Sequence, residues 1–430
     1  MAAKIALKYT LLALAATSAA AGPTTPKAST SKAAASSSAA APVTTPTAAY
    51  PNNYPWKNQY PPLFDKTGAW AVPPIDSTQA KEWIALVNMS AVPNAPVIKW
   101  DKNGNPIDPY PAGQNPYCDW SLDGVCTRPG DVVVCPQKGV WGLTFDDGPT
   151  PFGSQLYDWM GTQNLKATLF YIGLQVAQNP QVAQKGCAAG HQIAIHTWSH
   201  HVLTSLTNEQ IIVELKWTET IIKEVCGVTP KYFRPPQGDY DDRVRSIASQ
   251  LGYTAILWDL DTNDWMFGSP GNTLTPAQVD GNFTKWIGEE SNDTHGHICL
   301  EHELSQQSVD SAKQNLPKLA KAYNIMPVAS CIGDAHPYKE SDISFPVIGT
   351  DGKLTSTNTS TSASPSNATA SATDSGAGPT SNPTVSAAGA AGASSSLVVS
   401  ATTTPSAGSR TYLSETLFAI AVAMAVTMAL

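Results

Sequence analysis

The sequence predicts an α/β fold built from parallel βαβ units, and three observations carry that reading. Seven short apolar runs recur between residues 139 and 330. Stretches of helical period lie between most of them. The side chains with the greatest chemical capability cluster at, or just beyond, the C-terminal ends of the runs. Strands that alternate with helices pair in parallel through crossover connections. Seven such strands fit an open sheet or a (β/α) barrel, and periodicity leaves that choice open.

Taken in order, residues 1–21 carry Lys4 and Lys8, an apolar run at 11–16 and the triplet Ala19, Ala20 and Ala21. A basic start, a short apolar core and small residues at a cleavage position read as a secretion signal, with a buried N-terminal helix as the alternative. Residues 22–49 are a linker of Ser, Thr, Ala and Pro. Residues 50–137 are rich in Pro, Asn and Trp, lack a clear period, and read as an irregular extension packed on the main domain. The folded catalytic block is expected over 138–335. A Ser/Thr-rich stalk follows over 336–410, its composition purest from 351 onward. Such flanks cannot bury enough apolar surface to offset the entropy of ordering them. All 12 tryptophans lie between 50 and 350, which argues for one folded domain with disordered flanks.

The last apolar run, 417–430, is short for a membrane span, which needs about 20 residues. Small residues at 406–409 and a polar spacer precede it. That order matches a GPI-attachment signal over 411–430, with a tail anchor as the alternative. Sequons at Asn88, Asn282, Asn292, Asn358 and Asn367 fit a glycoprotein on the secretory route. The seven cysteines suit the same oxidising compartment. Cys135 and Cys331 are expected to tie the two ends of the catalytic block together, and Cys299, mid-strand, is the candidate free thiol. A net charge of −8 argues against nucleic acid as a partner and is compatible with a neutral or cationic polymer.

Within the block, strands are expected near 139–145, 167–172, 191–196, 231–234, 253–260, 297–302 and 326–330. The clearest helix is 208–226, where Ile211, Leu215, Ile222 and Val225 share a face. Thr207 with Gln210 supplies a capping box, and Gly227 stops the helix. A second helix is expected over 241–251, ended by Gly252.

Five segments carry the chemistry: Thr144-Phe145-Asp146-Asp147-Gly148, His196-Thr197-Trp198-Ser199-His200, Arg234-Pro235-Pro236-Gln237-Gly238, Asp261-Thr262-Asn263-Asp264-Trp265 and Leu300-Glu301-His302. In parallel barrels, that end of the strands is where active sites assemble. His196 and His200, four apart, would share one face of a helical turn. With Asp147 they make the two-histidine, one-carboxylate set of a catalytic zinc site. A cation beside Asp147 would relieve its repulsion with Asp146 and leave Asp146 to act as base. Arg234, in a proline-locked loop, could hold a carboxylate through paired hydrogen bonds. Asp264 could orient His302 by accepting a ring N–H. His191 and His201 read as structural.

In this order the five segments resemble the motifs of the NodB-homology polysaccharide deacetylases, carbohydrate esterase family four, over roughly 138–330. The resemblance implies a distorted (β/α) barrel of about seven parallel strands and metal-dependent removal of acetyl groups from sugar polymers. It implies Asp147, His196 and His200 as metal ligands, Asp146 as base, Arg234 as the group positioning it, His302 as acid and Asp264 as its partner. Trp265 and Leu300 match the apolar wall around the acetyl methyl. Gln237 stands where an aromatic residue is usual, at a position whose backbone N–H holds the oxyanion. The implied cofactor is Zn2+, with Co2+ or another divalent ion as the alternative. With the secretion signal, stalk and GPI tail, the implied substrate is chitin in a fungal cell wall beside the plasma membrane outer leaflet. An acetylxylan or other O-acetyl esterase is the enzymatic rival. A wall-anchored chitin-binding protein without activity is the rival from another class.

Overall fold

The computed structural model describes residues 59–101, 105–111, 113–269, 272–349, 352 and 354–355. The expected secretion signal, linker, GPI tail, Asn358, Asn367 and nearly all of the stalk lie outside them.

Eight short strands form one sheet: β1 (Val140–Gly148), β2 (Thr168–Tyr171), β3 (Gln192–Ile195), β4 (Tyr232–Phe233), β5 (Thr254–Ala255), β6 (Leu260–Asp261), β7 (His297–Leu300) and β8 (Asn324–Met326). Their order is β5-β4-β3-β2-β1-β7-β6, with β8 beside the start of β1, and every pairing is parallel. The sheet's two outer strands, β5 and β6, belong to one stretch of chain, 254–261, which pairs at its start with β4 and at its end with β7. The sheet therefore curls back on itself as a distorted barrel of seven parallel segments. The nine residues of β1 are all buried, as a strand enclosed on both faces requires.

Two strands differ from expectation, each for a local reason. The run 253–260 splits because the carbonyls of Ile256 and Leu257 accept the Arg234 side chain, at 3.1 and 3.0 Å, instead of a neighbouring strand. The strand expected at 326–330 lies at 324–326. Pro327 offers no N–H to a ladder, and a short helix, Val328–Cys331, starts directly after it.

The helix Asn208–Cys226 has the expected bounds. Gln210 N donates to Thr207 Oγ1 and Thr207 N to the Gln210 side chain, and Gly227 takes a left-handed conformation at φ +76°. The helix Asp242–Gln250 is capped by Asp241, which accepts from Val244 N at 2.8 Å. Cys135 bonds Cys331, as expected, and Cys299 is free and buried; Cys118 pairs with Cys126 and Cys187 with Cys226.

The extension is fastened to the barrel through aromatic contacts and one strand bridge. Tyr60 stacks parallel to Trp198 at 5.8 Å, Trp83 meets Trp217 edge-on at 4.9 Å, and Trp120 packs against Trp258 at 4.6 Å. Val132 pairs with Ile256, accepting from Leu257 N at 2.7 Å, and so covers the gap where 253–260 leaves the sheet. On the C-terminal side, residues 336–348 were expected in the stalk and instead pack on the barrel. Tyr338 is buried with its hydroxyl accepting from Ile193 N at 2.8 Å, and Phe345 is buried as well. Aromatic side chains inside the Ser/Thr-poor start of that segment account for the difference. Among the described residues no helix is long and apolar enough to cross a membrane.

Candidate active site

All five motifs meet at the C-terminal ends of the strands. Asp146 and Asp147 lie at the end of β1, where the Asp146 backbone is pinned to β7's continuation: its N–H donates to Glu301 O at 2.9 Å, and its carbonyl accepts from Glu303 N at 3.3 Å. A Cβ on Gly148 would sit 1.6 Å from Glu303 Oε1, so any larger residue there would have to displace that buried carboxyl group.

His196 and His200 follow β3 in a loop, not on a helical turn. Thr197 and His200 have φ of +65° and +58°, and these left-handed residues fold the loop back so that both imidazoles face Asp147. Five of the eight non-glycine residues described with positive φ fall in the five motifs: Asp147, Thr197, His200, Gln237 and Asn263. Backbone held in such regions costs about 1–3 kcal/mol per residue and needs strong surrounding contacts to persist.

In the loop that carries the two histidines, those contacts come largely from Glu214, a fully buried side chain of the helix 208–226. It accepts from Trp198 N and Ser199 N, each at 2.8 Å, and from the Ser199 hydroxyl. Burial raises its pKa, and His201 with these donors opposes the rise. Sequence reasoning missed Glu214, although an acid three residues after Ile211 on the buried face of an amphipathic helix was a legible signal.

The Asp147 Oδ1 atom lies 3.3 Å from His196 Nε2 and 3.1 Å from His200 Nε2, yet no hydrogen bond of acceptable geometry reaches it. The three ligand atoms lie within 4.8 Å of one another and are buried. The far nitrogen of His196, Nδ1, is 2.7 Å from the Arg234 carbonyl, which fixes the ring so that Nε2 points at Asp147. Burial pushes the His200 pKa down, against the pull of Asp147, and so keeps the ring available as a ligand. Burial would raise Asp147, but the two imidazoles outweigh it and hold the acid well below the usual range. An orphaned carboxylate oxygen faced by two imidazole nitrogens fits a bound divalent cation, and the triad is competent to hold one.

Asp146 turns the other way. Its Oδ1 accepts from Arg234 Nη1 at 2.7 Å, and its Oδ2 is 3.7 Å from His196 Nε2. Arg234 is fully buried between Phe170, 4.1 Å from its guanidinium carbon, and Trp258, at 5.4 Å. The expected paired contact with one carboxylate is not what forms. Nη1 serves Asp146 and Thr144 Oγ1 (2.8 Å), and the remaining N–H groups serve two main-chain carbonyls. The guanidinium thus holds one acid at one atom and is itself clamped by the split strand.

Across the site, His302 Nε2 lies 4.0 Å from Asp147 Oδ2. Its Nδ1 is 2.8 Å from Asp264 Oδ1, and its backbone N–H donates to Asp264 Oδ2 at 3.0 Å. Burial pulls its pKa down, but Asp264, with Asp147 and Asp146, overrides this and lifts it to about 9. Leu300 is buried, Trp265 is half-buried, and Gln237, at φ +57°, is half-buried in the turn Pro236–Gly238. His191 is structural: its Nδ1 accepts from Ala167 N at 3.2 Å. Of the expected glycan acceptors, Asn88 and Asn292 are exposed, and Asn282 is half-buried in the helix Pro276–Glu289.

Residues 134–256 match the family model described as polysaccharide deacetylase. Chitin deacetylase 1 of Saccharomyces cerevisiae is 34% identical over 233 residues, which cover 53% of this chain and 73% of that protein. The chain belongs to the polysaccharide deacetylase family. Chitin deacetylase 1 of Cryptococcus neoformans var. grubii is 42% identical over 276 residues, 61% of this chain. The chain spans 57% of that relative's length, and 64% and 62% of two other fungal relatives'. The solved chitin deacetylase of Colletotrichum lindemuthianum is 30% identical, covers 49% of this chain and 95% of its own, and has a TM-score of 0.44.

Proposed function

We propose that this polysaccharide deacetylase hydrolyses the N-acetyl groups of chitin, giving chitosan and acetate. The observation that carries the reading is the buried triad Asp147, His196 and His200, with an arginine-held Asp146 on one side and an aspartate-held His302 on the other. The relatives named above support chitin as the polymer. Zinc is the favoured ion, since two imidazoles and a carboxylate with an open position are its common catalytic set; Co2+ is the alternative. When bound there, the ion supplies polarisation of the amide carbonyl and a more acidic water.

The chain's own residues do the rest. Arg234 keeps Asp146 aimed into the site, and Asp146 takes a proton from the attacking water. The Gln237 backbone N–H stabilises the oxyanion as the carbonyl carbon becomes tetrahedral. His302 donates its Nε2 proton to the departing nitrogen while Asp264 steadies the ring, so that water and amide become acetate and a free amine. Trp265 and Leu300 wall the acetyl methyl.

The same proposal includes secretion through 1–21, glycans on the sequons, a stalk beyond the packed C-terminal segment, and a GPI anchor from 411–430 that holds the enzyme at the membrane outer leaflet beside the cell wall. Acetate release from chitin oligomers and from acetylated xylan, with and without chelator, tests it. Chelator-sensitive release from chitin oligomers is expected. Release from xylan alone would make the protein an O-acetyl esterase, and chitin binding without release would make it a binding protein.

A further inference from the structure

Away from the catalytic pocket, the described residues hold a second set of metal-ligating side chains. The ligand atoms of Asp259, His295 and His297 lie within 4.8 Å of one another. We propose that these three residues form a second site, for a divalent transition-metal ion, at the N-terminal end of β7.

The backbone of this site is fixed in advance. His295 and His297 are two apart on extended chain, so their side chains leave the same face. Gly296, between them, is wedged against the segment entering β1. A Cβ there would lie 2.4 Å from Gln137 O and 2.5 Å from Val140 O, and the Gly296 N–H donates to Cys135 O at 2.8 Å. Cys135 is in turn bonded to Cys331.

The ring nitrogens are arranged for an ion. His295 Nδ1 lies 2.8 Å from Gly296 O, which leaves Nε2 as the ligand atom. His297 has Nδ1 at 2.6 Å from Asp259 Oδ2 and Nε2 at 3.1 Å from Asp293 Oδ2. Asp293 is itself held by the Tyr323 hydroxyl at 2.7 Å. A carboxylate on the far nitrogen is the outer-shell arrangement that orients a ligating imidazole. An ion entering between His297 Nδ1 and Asp259 displaces the proton they share to solvent. It gains two imidazoles and one carboxylate, with positions left for water. That donor set favours Zn2+, Ni2+ or Cu2+ over Mg2+ and Ca2+, which take oxygen ligands. The His297 and Asp259 side chains retain 13% and 18% exposure, enough for an ion to enter from solvent. His297 begins β7 and His302 follows its end, so the second ion would brace the base of the barrel and take no part in catalysis.

Metal-depleted full-length protein, dialysed against micromolar zinc, tests this by stoichiometry. The wild type is expected to bind two equivalents, H196A and H295A one each, and the H196A/H295A pair none. H295A should retain wild-type acetate release, which also reports that it folds; H295Q keeps the side-chain length and serves if H295A does not. One equivalent in the wild type, or unchanged binding by H295A or H295Q, overturns the proposal. So does saturation of the second site by magnesium at equal concentration.

Discussion

Asp264 grips His302 at two points, one oxygen on the ring Nδ1 and the other on the backbone N–H. The ring therefore cannot rotate without losing a buried charge-assisted bond, and its Nε2 stays aimed at Asp147. If His302 is the proton donor proposed above, H302A is expected to lower kcat roughly 10²–10⁴-fold, the range for general acid–base groups. D264N, which keeps one acceptor, should lose less than D264A. Metal content, measured by elemental analysis, should be unchanged in all three. A variant without His302 and with full turnover would assign the proton elsewhere.

Glu214 lies outside the proposed metal and proton-transfer sets, and it holds the loop between His196 and His200. E214A is expected to weaken zinc affinity about 10–100-fold, as loss of outer-shell partners typically does. E214Q retains an oxygen for the two backbone donors and should recover part of the loss. Competition with a chromogenic chelator measures both. Equal affinity in all three proteins would reduce Glu214 to a packing residue.

Arg234 is a buried cation whose removal leaves Asp146 buried without its counter-charge. R234M should cost about 3–5 kcal/mol of stability, the usual penalty for breaking a buried ion pair from one side. Urea denaturation of the metal-depleted protein reads this without interference from the ion.

His191 gives a pH dependence that does not involve the proposed metal ligands. Burial, with Lys166 adding, lowers its folded pKa to about 4 from an ordinary 6.5. Between those values the unfolded chain takes up a proton that the folded chain refuses. Its contribution to stability is therefore complete above pH 6.5 and is lost as pH falls toward 4, on the order of 3 kcal/mol in all. H191Q, which keeps an acceptor for Ala167 N, should flatten that part of the stability profile. Parallel profiles for the two proteins would show that another group controls it.

What the sequence made legible was local. The helix 208–226 was readable because its start and stop are written in adjacent residues, Thr207, Gln210 and Gly227. The five motifs announced their ends of the strands because polar residues follow each apolar run directly. The spacing of His196 and His200 led to the right convergence by the wrong geometry, since two left-handed residues do what a helical turn was expected to do. Long-range relations stayed hidden. Nothing near Arg234 foretells that its partners include the carbonyls of Ile256 and Leu257, or that those bonds split a strand. Nor does any local pattern reveal that Tyr60, far upstream, stacks on Trp198 between the two histidines.

The stretch 254–261 serves both outer strands of the sheet, and Val132 pairs where that stretch leaves it. Exposed strand edges are templates on which one copy of a protein can recruit another, and natural sheets are built to deny them. Here the denial comes from topology instead of from charged or proline-blocked borders, because the two borders are the same piece of chain. Wherever copies of the protein are crowded together and collide often, that is protection against self-association which no surface mutation can easily remove.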